Sequence, residues 1–270
     1  MLANWWTLIV AWAVLAALFA LLWWRQTRTR NATSVDLAWS LGIAVVTVVW
    51  LALGTGDPWR RLLVGVLLGG WMLRLAWHVW ADRMRGEQAE DGRYGMLRER
   101  FARHEQAAFF GFYQLQALFV LFFALPGWIM ADDPRPVGTL ADAIAVGIWC
   151  IALAGEWLAD RQLARWRRDP DHRGRTCRDG LWRYSRHPNY FFEWIHWFTY
   201  PVLALGFTPG CALWALPVGM LLLITRVTGI PYTERRALQS RGEDYRRYMQ
   251  ETPPFIPWFP RRPAAKEVQA

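Results

Sequence analysis

The chain has few cysteines and no order among them. Cys150, Cys177 and Cys211 form no CxxC pair, and an odd number argues against a disulfide framework. The five histidines show no HExxH or other clustered ligand spacing, so no metal site is expected. No internal repeat is evident, and no soluble second domain stands out. The first 24 residues lack a basic leader and an AxA-like cleavage site, and they read as a retained span rather than a signal peptide.

What the chain has in abundance is apolar surface. Of its 270 residues 54% are hydrophobic and 20 are Trp, with a formal net charge of +9. Apolar runs of about 20 residues, enough to cross a bilayer as a helix, recur along most of the sequence. Seven are expected, at residues 4–24, 35–53, 62–80, 108–130, 137–157, 190–207 and 209–230. Each must be helical, because only a helix satisfies its own backbone in lipid. The fold class is therefore all-α, a polytopic membrane protein. Trp5–Trp6 and Trp23–Trp24 lie near span ends, where indoles favour the interface.

The charge follows the spans. The loops after spans one, three and five hold three, six and nine Arg, whereas those after two, four and six hold only Arg60, Arg61 and Arg135. Positive charge stays on the cytoplasmic side, which puts the N-terminus outside and the C-terminus inside. Basic character here marks topology, and nucleic acid is not an expected partner. Residues 1–260 read as one transmembrane domain, and 261–270 as a disordered tail.

The stretch GLWRYSRHPNYFFEWI at residues 180–195 places polar groups where hydrocarbon should begin. Pro188 suits a first helical turn, and Asn189, Glu193 and His196 then share one helix face. Such a stripe should face protein or a water-filled cavity. Arg183 and Arg186 add guanidinium forks suited to phosphate. Glu156 and Asp160 lie four apart on one face where span five ends, and Arg226 opens the last cytoplasmic segment. That segment reads as an amphipathic helix or helix pair over 232–248. Arg74 and His78 in span three, Asp36 entering span two, and Gln114 and Gln116 in span four each read first as structural.

DGLWRYSRHPNYFFEW, then TGIPYTERRALQSRGEDYRRYMQETPPFIPWFP, and upstream EDGRYGMLRER, resemble bacterial membrane proteins related to the C-terminal domain of steroid 5-alpha-reductases. The resemblance covers about residues 31–260, with the motifs concentrated in 150–260. It implies a seven-helix reductase of the bacterial inner membrane that uses NADPH to reduce a carbon–carbon double bond conjugated to a carbonyl. Carried over by motif, the cofactor residues are Asp160, Arg167, Arg186, His187, Asn189, Tyr190, Glu193, Arg226, Tyr232 and Glu234, with Arg183 added as a phosphate contact. The Gly-x-Gly-x-x-Gly fingerprint is absent, in keeping with a non-Rossmann site.

Tyr94 is the first choice of proton donor, oriented by Glu90 or Asp36. The sequence departs from the family at Phe192, where Gly often precedes the glutamate. It also lacks a clear Gln–Glu pair in span two or three, which leaves lipid enone, sterol and unsaturated acyl chain all open as the hydrophobic substrate. Two other readings stand beside this one. RHPNY with a downstream acidic residue is shared with S-adenosylmethionine-dependent isoprenylcysteine and phospholipid methyltransferases. A non-enzymatic lipid-binding module is the other.

Overall fold

A computed structural model describes residues 5–85 and 90–261; the expected tail beyond Arg261 lies outside the described residues. Among these residues there are helices and turns and no strand. Six helices are long and apolar enough to cross a membrane: Trp5–Thr29, Ser34–Leu53, Pro58–Asp82, Ala102–Met130, Leu140–Arg168 and Thr208–Glu251. The chain divides into two compact units, Met1–Leu140 with Ala204–Leu213, and Ala141–Leu203 with Trp214–Ala270.

The first unit is built from α1 (Trp5–Thr29), α2 (Ser34–Leu53), α3 (Pro58–Val64), α4 (Gly70–Arg83), α5 (Gly92–Arg100) and α6 (Glu105–Met130). A π turn, Gly65–Gly69, joins α3 to α4. α2 is central, packed against α1, α4 and α6. Phe19, Ile43, Leu68, Trp71, Phe109 and Phe123 are fully enclosed there. Gln114 donates to the Ala16 carbonyl at 3.2 Å, stitching α6 to α1. The Arg74 guanidinium lies over the Trp71 ring at 4.5 Å, and His78 is exposed.

At the end where α2 gives way to α3 and α6 ends, the backbone is knotted by charge. Asp57 caps α3, accepting from the Arg60 amide at 2.8 Å, and Pro58 fills the first helical position. Arg60 has no exposed surface; it donates to the carbonyls of Arg135 (2.7 Å) and Pro136 (2.8 Å) and lies 3.5 Å from the Asp133 carboxylate. Arg135 pairs with Asp133 at 2.6 Å and donates to the Leu205 carbonyl. Arg61 donates to the carbonyls of Leu51 and Gly56, closing the end of α2. All three arginines expected on the outer side are thus committed to protein groups.

The second unit holds α7 (Leu140–Arg168), α8 (Pro188–His196), α9 (Thr199–Leu203), α10 (Ala215–Leu222) and α11 (Ile230–Glu251). Where a sixth continuous span was expected, over 190–207, the chain makes the two short helices α8 and α9. Pro201 has no N–H to offer the turn before it, so one helix cannot run through. The break is buried: His196, Trp197, Thr199 and Tyr200 have no exposed surface, and the Tyr200 hydroxyl lies 2.7 Å from His196 Nε2. α7 lies against α8 where Gly155 faces Phe192, and a Cβ on Gly155 would fall 2.3 Å from that ring. The large residue on α8 is therefore accommodated by the missing side chain on α7. α11 kinks at Gly242 (φ 51°), a left-handed conformation that glycine adopts without strain, so the final segment is a helix pair.

Removing the Arg60 guanidinium takes away a buried ion-pair partner and leaves the buried carbonyls of Arg135 and Pro136 without their donor, at a cost of about 3 kcal/mol. Arg60→Met should therefore lower the thermal unfolding midpoint in detergent by several degrees. Arg28→Met, on an exposed turn of α1, should leave it in place.

Candidate functional site

The turn before α8 is fixed before any helix begins. Ser185 Oγ accepts from the His187 amide at 3.1 Å and donates to the Phe255 carbonyl at 2.7 Å. The Tyr248 hydroxyl donates to the Trp182 and Ser185 carbonyls. Arg186, 9% exposed, donates through Nε to Glu234 at 2.7 Å and through Nη1 to the carbonyls of Met249 and Thr252, both at 2.9 Å. The same Glu234 oxygen lies 3.3 Å from His187 Nε2. A guanidinium, an imidazole and a carboxylate therefore meet in a nearly closed space, joining the loop to α11.

From this anchor α8 presents its first turn. The His187 and Tyr190 rings stack 9° from parallel with centroids 5.5 Å apart, and the Tyr190 hydroxyl lies 3.1 Å from Thr233 Oγ1. Asn189 Nδ2 donates to Asp160 on α7 at 3.2 Å. Glu193 accepts from the Trp197 indole at 3.0 Å within its own helical turn. Six of the predicted cofactor residues, Asp160, Arg186, His187, Asn189, Tyr190 and Glu234, thus form one connected group drawn from α7, α8 and α11.

Others stand apart. Arg167, Arg183 and Arg226 are exposed and make no ion pair among the described residues. Arg226 sits in a π turn, Leu223–Val227, that precedes α11. Tyr232 accepts from Arg236 at 3.2 Å on the solvent side. The structure adds members that sequence reasoning passed over: Ser185 and Thr233, and Arg241, half-buried with its guanidinium 5.0 Å from the Tyr245 ring. Ser185 carried a signal, since a serine two residues before an N–H in a tight loop commonly bonds it. Arg241 carried none, being one arginine among many.

The first unit holds the predicted acid group. Tyr94, 3% exposed, donates its phenol proton to Asp36 at 2.8 Å, and Arg93 pairs with the other Asp36 oxygen. Asp91 caps α5 and holds Arg93 through the same carboxylate. Glu90 lies elsewhere: it binds Arg98 at 2.8 Å and accepts from the Ala32 amide at 2.8 Å. Asp36 is therefore the residue that orients Tyr94. Burial, reinforced by the negative charge of Asp36, pushes the phenol well above its ordinary pKa, so it stays protonated as a donor must. A cavity of about 420 Å³ also lies in this unit, lined by Trp50, Leu53, Gly54, Trp128 and Asp132. It opens at the far end of α2 from Asp36, some 20 Å away at 1.5 Å per residue, and takes no part in this chemistry.

The family described as "Protein of unknown function (DUF1295)" matches residues 22–252. An uncharacterized protein of Schizosaccharomyces pombe is 27% identical over 204 residues, 66% of this chain and 59% of that protein, so the chain spans less than two thirds of its relative's length. No solved structure matches the chain.

Burial holds the His187 imidazole below the ordinary histidine value of 6.5, and the neighbouring Glu234 opposes this only in part. A base harder to protonate folded than unfolded contributes stability above pH 6.5, and that stability is lost as the pH falls towards its lowered pKa. The unfolding midpoint should therefore drop as pH is lowered below 6.5. His187→Gln should flatten that part of the profile, and an unaltered profile would assign the titration to another group.

Proposed function

Because the chain belongs to the DUF1295 family, which is related to steroid 5-alpha-reductase-like proteins, we propose that it is an integral-membrane, NADPH-dependent reductase. Its reaction is hydride delivery to a carbon–carbon double bond conjugated to a carbonyl, in a lipid-like substrate. The observation that carries this reading is the connected polar group drawn from α7, α8 and α11, where Arg186 and His187 meet Glu234 and Asn189 meets Asp160.

The donor chemistry fits the nucleotide. Arg167, Arg183 and Arg226 offer planar forks for phosphate oxygens. Asn189 and Asp160 offer a carboxamide and a carboxylate for hydroxyl or amide groups, and the stacked His187–Tyr190 pair offers a flat wall. Arg186 and Glu234 serve as the frame, the guanidinium being held by Glu234 and by the carbonyls of Met249 and Thr252. When bound, NADPH supplies the hydride. The chain orients the reactants and keeps water away. Tyr94 turns its single phenol proton, held by Asp36 at rest, to the carbonyl oxygen, hydrogen-bonds the charge that grows there and yields the proton to it.

The same reading includes seven crossings of the inner membrane of a bacterium, with the N-terminus out and the C-terminus in. α8 and α9 make one broken crossing, whose non-helical joint is enclosed by protein, the condition under which lipid depth tolerates it. The commitment of Arg60, Arg61 and Arg135 to carbonyls and Asp133 supports the orientation, because the few outer arginines have structural work.

Protein in detergent should transfer excitation energy from Trp to added NADPH. Asn189→Ala should weaken that binding roughly 3- to 10-fold, the worth of one hydrogen bond, with the fold retained. Tyr94→Phe should bind NADPH normally and lose about 10²-fold or more in turnover of an enone lipid. Thermal stabilisation by S-adenosylmethionine in place of NADPH would instead make the protein a methyltransferase, and no response to either would leave a lipid-binding module.

A further inference from the structure

After α11 the chain runs as an extended strap, residues 252–261, across the loop that precedes α8. Four hydrogen bonds fix its backbone. The Arg186 amide donates to the Pro253 carbonyl (2.9 Å) and Ser185 Oγ to that of Phe255 (2.7 Å). The Trp258 amide donates to the Tyr184 carbonyl (2.9 Å), and the Arg261 amide to that of Glu251 (2.7 Å). Phe255 turns inward, with ring centroids 5.9 Å from Phe191 and 5.6 Å from Trp194. Ile256, Trp258 and Phe259 turn outward and are 60%, 70% and 72% exposed.

In water, three large apolar side chains within four residues would be a costly surface. Their depth removes the difficulty. The Trp194 indole donates to the Pro217 carbonyl of α10 at 3.0 Å, and α10 is the apolar part of the last long span. Phe255 packs directly on Trp194, so the strap lies within about one side chain of a residue fastened to that span. α10 itself exposes Val218 and Leu222, which continue the apolar surface. Arg261, exposed, follows Phe259 by two residues and adds a guanidinium to the projecting rings. Apolar rings with a guanidinium close by match the boundary between acyl chains and anionic headgroups.

We propose that residues 252–261 are a membrane-interface anchor: Ile256, Trp258 and Phe259 insert at the headgroup–acyl boundary, and Arg261 pairs with anionic lipid phosphates. The strap is already ordered by its backbone bonds, so insertion carries little entropic cost. Its bonds to Ser185 and Arg186 also fix the loop before α8 at a set distance from the lipid surface. None of this depends on the reductase reading.

Trp258→Cys and, separately, Phe259→Cys are spin-labelled in the full chain with Cys150→Ala and Cys211→Ala; Cys177 is buried and out of reach. The protein is placed in nanodiscs of phosphatidylcholine, with and without phosphatidylglycerol. Oxygen should relax both labels several-fold more than an aqueous nickel chelate does, and phosphatidylglycerol should move them deeper unless Arg261→Glu is present. Greater relaxation by nickel would overturn the anchor. So would low relaxation by both agents, which would mean that residues 262–270 or a second copy of the chain covers the strap. Insensitivity to phosphatidylglycerol would overturn the role of Arg261.

Discussion

Arg186 reaches from the loop before α8 to Glu234 on α11, and the surrounding polar contacts depend on that meeting. The pair is largely shielded from water, with side chains 9% and 15% exposed. Its Coulomb attraction is therefore weakly screened, and loss of one partner would strand the other at a cost of several kcal/mol. The Arg186 guanidinium also takes two carbonyls at the end of α11, which removes the need for water there. With Arg186 held, His187 can share the same carboxylate, Tyr190 can stack on His187, and Asn189 can turn towards Asp160. A rigid polar floor results at the end of otherwise apolar helices.

The first unit solves a related problem with different residues. Asp36, Arg93, Asp91 and Tyr94 tie the start of α2 to α5, while Glu90, Arg98 and Glu105 tie α5 to α6. Arginine serves in both units because its fork satisfies several acceptors at once and does not lose its charge. A chain with 31 Lys and Arg residues thus uses some as internal braces and leaves others exposed. Which role each plays follows from its partners.

That difference sets how far the sequence could be read. Long apolar helices such as α1, α2, α6 and α7 announce themselves, because lipid demands an unbroken hydrophobic run and little else does. The division of the expected sixth span into α8 and α9 was hidden: hydropathy averages over Pro201 and cannot register the packing that encloses the break. At the site, RHPNY and the Glu234 segment were visible as unusual chemistry. The inward turn of Arg186 was not, since its carboxylate lies 48 residues away in the chain. Phe192 departs from the family's glycine, and the room for its ring comes from Gly155 on α7, which no local pattern reveals. The choice between Asp36 and Glu90 as the partner of Tyr94 likewise needed the folded geometry, because Asp36, which meets the phenol, lies 58 residues away in the chain.

The central claim is that this floor receives a nucleotide. Hydrogen–deuterium exchange of the protein in nanodiscs, followed with and without NADPH, tests it at the residues concerned. NADPH should slow exchange at amides of residues 186–193 and 226–234 while those of residues 54–60 in the charged knot exchange as before. Unchanged rates across both site segments at saturating NADPH would contradict the account.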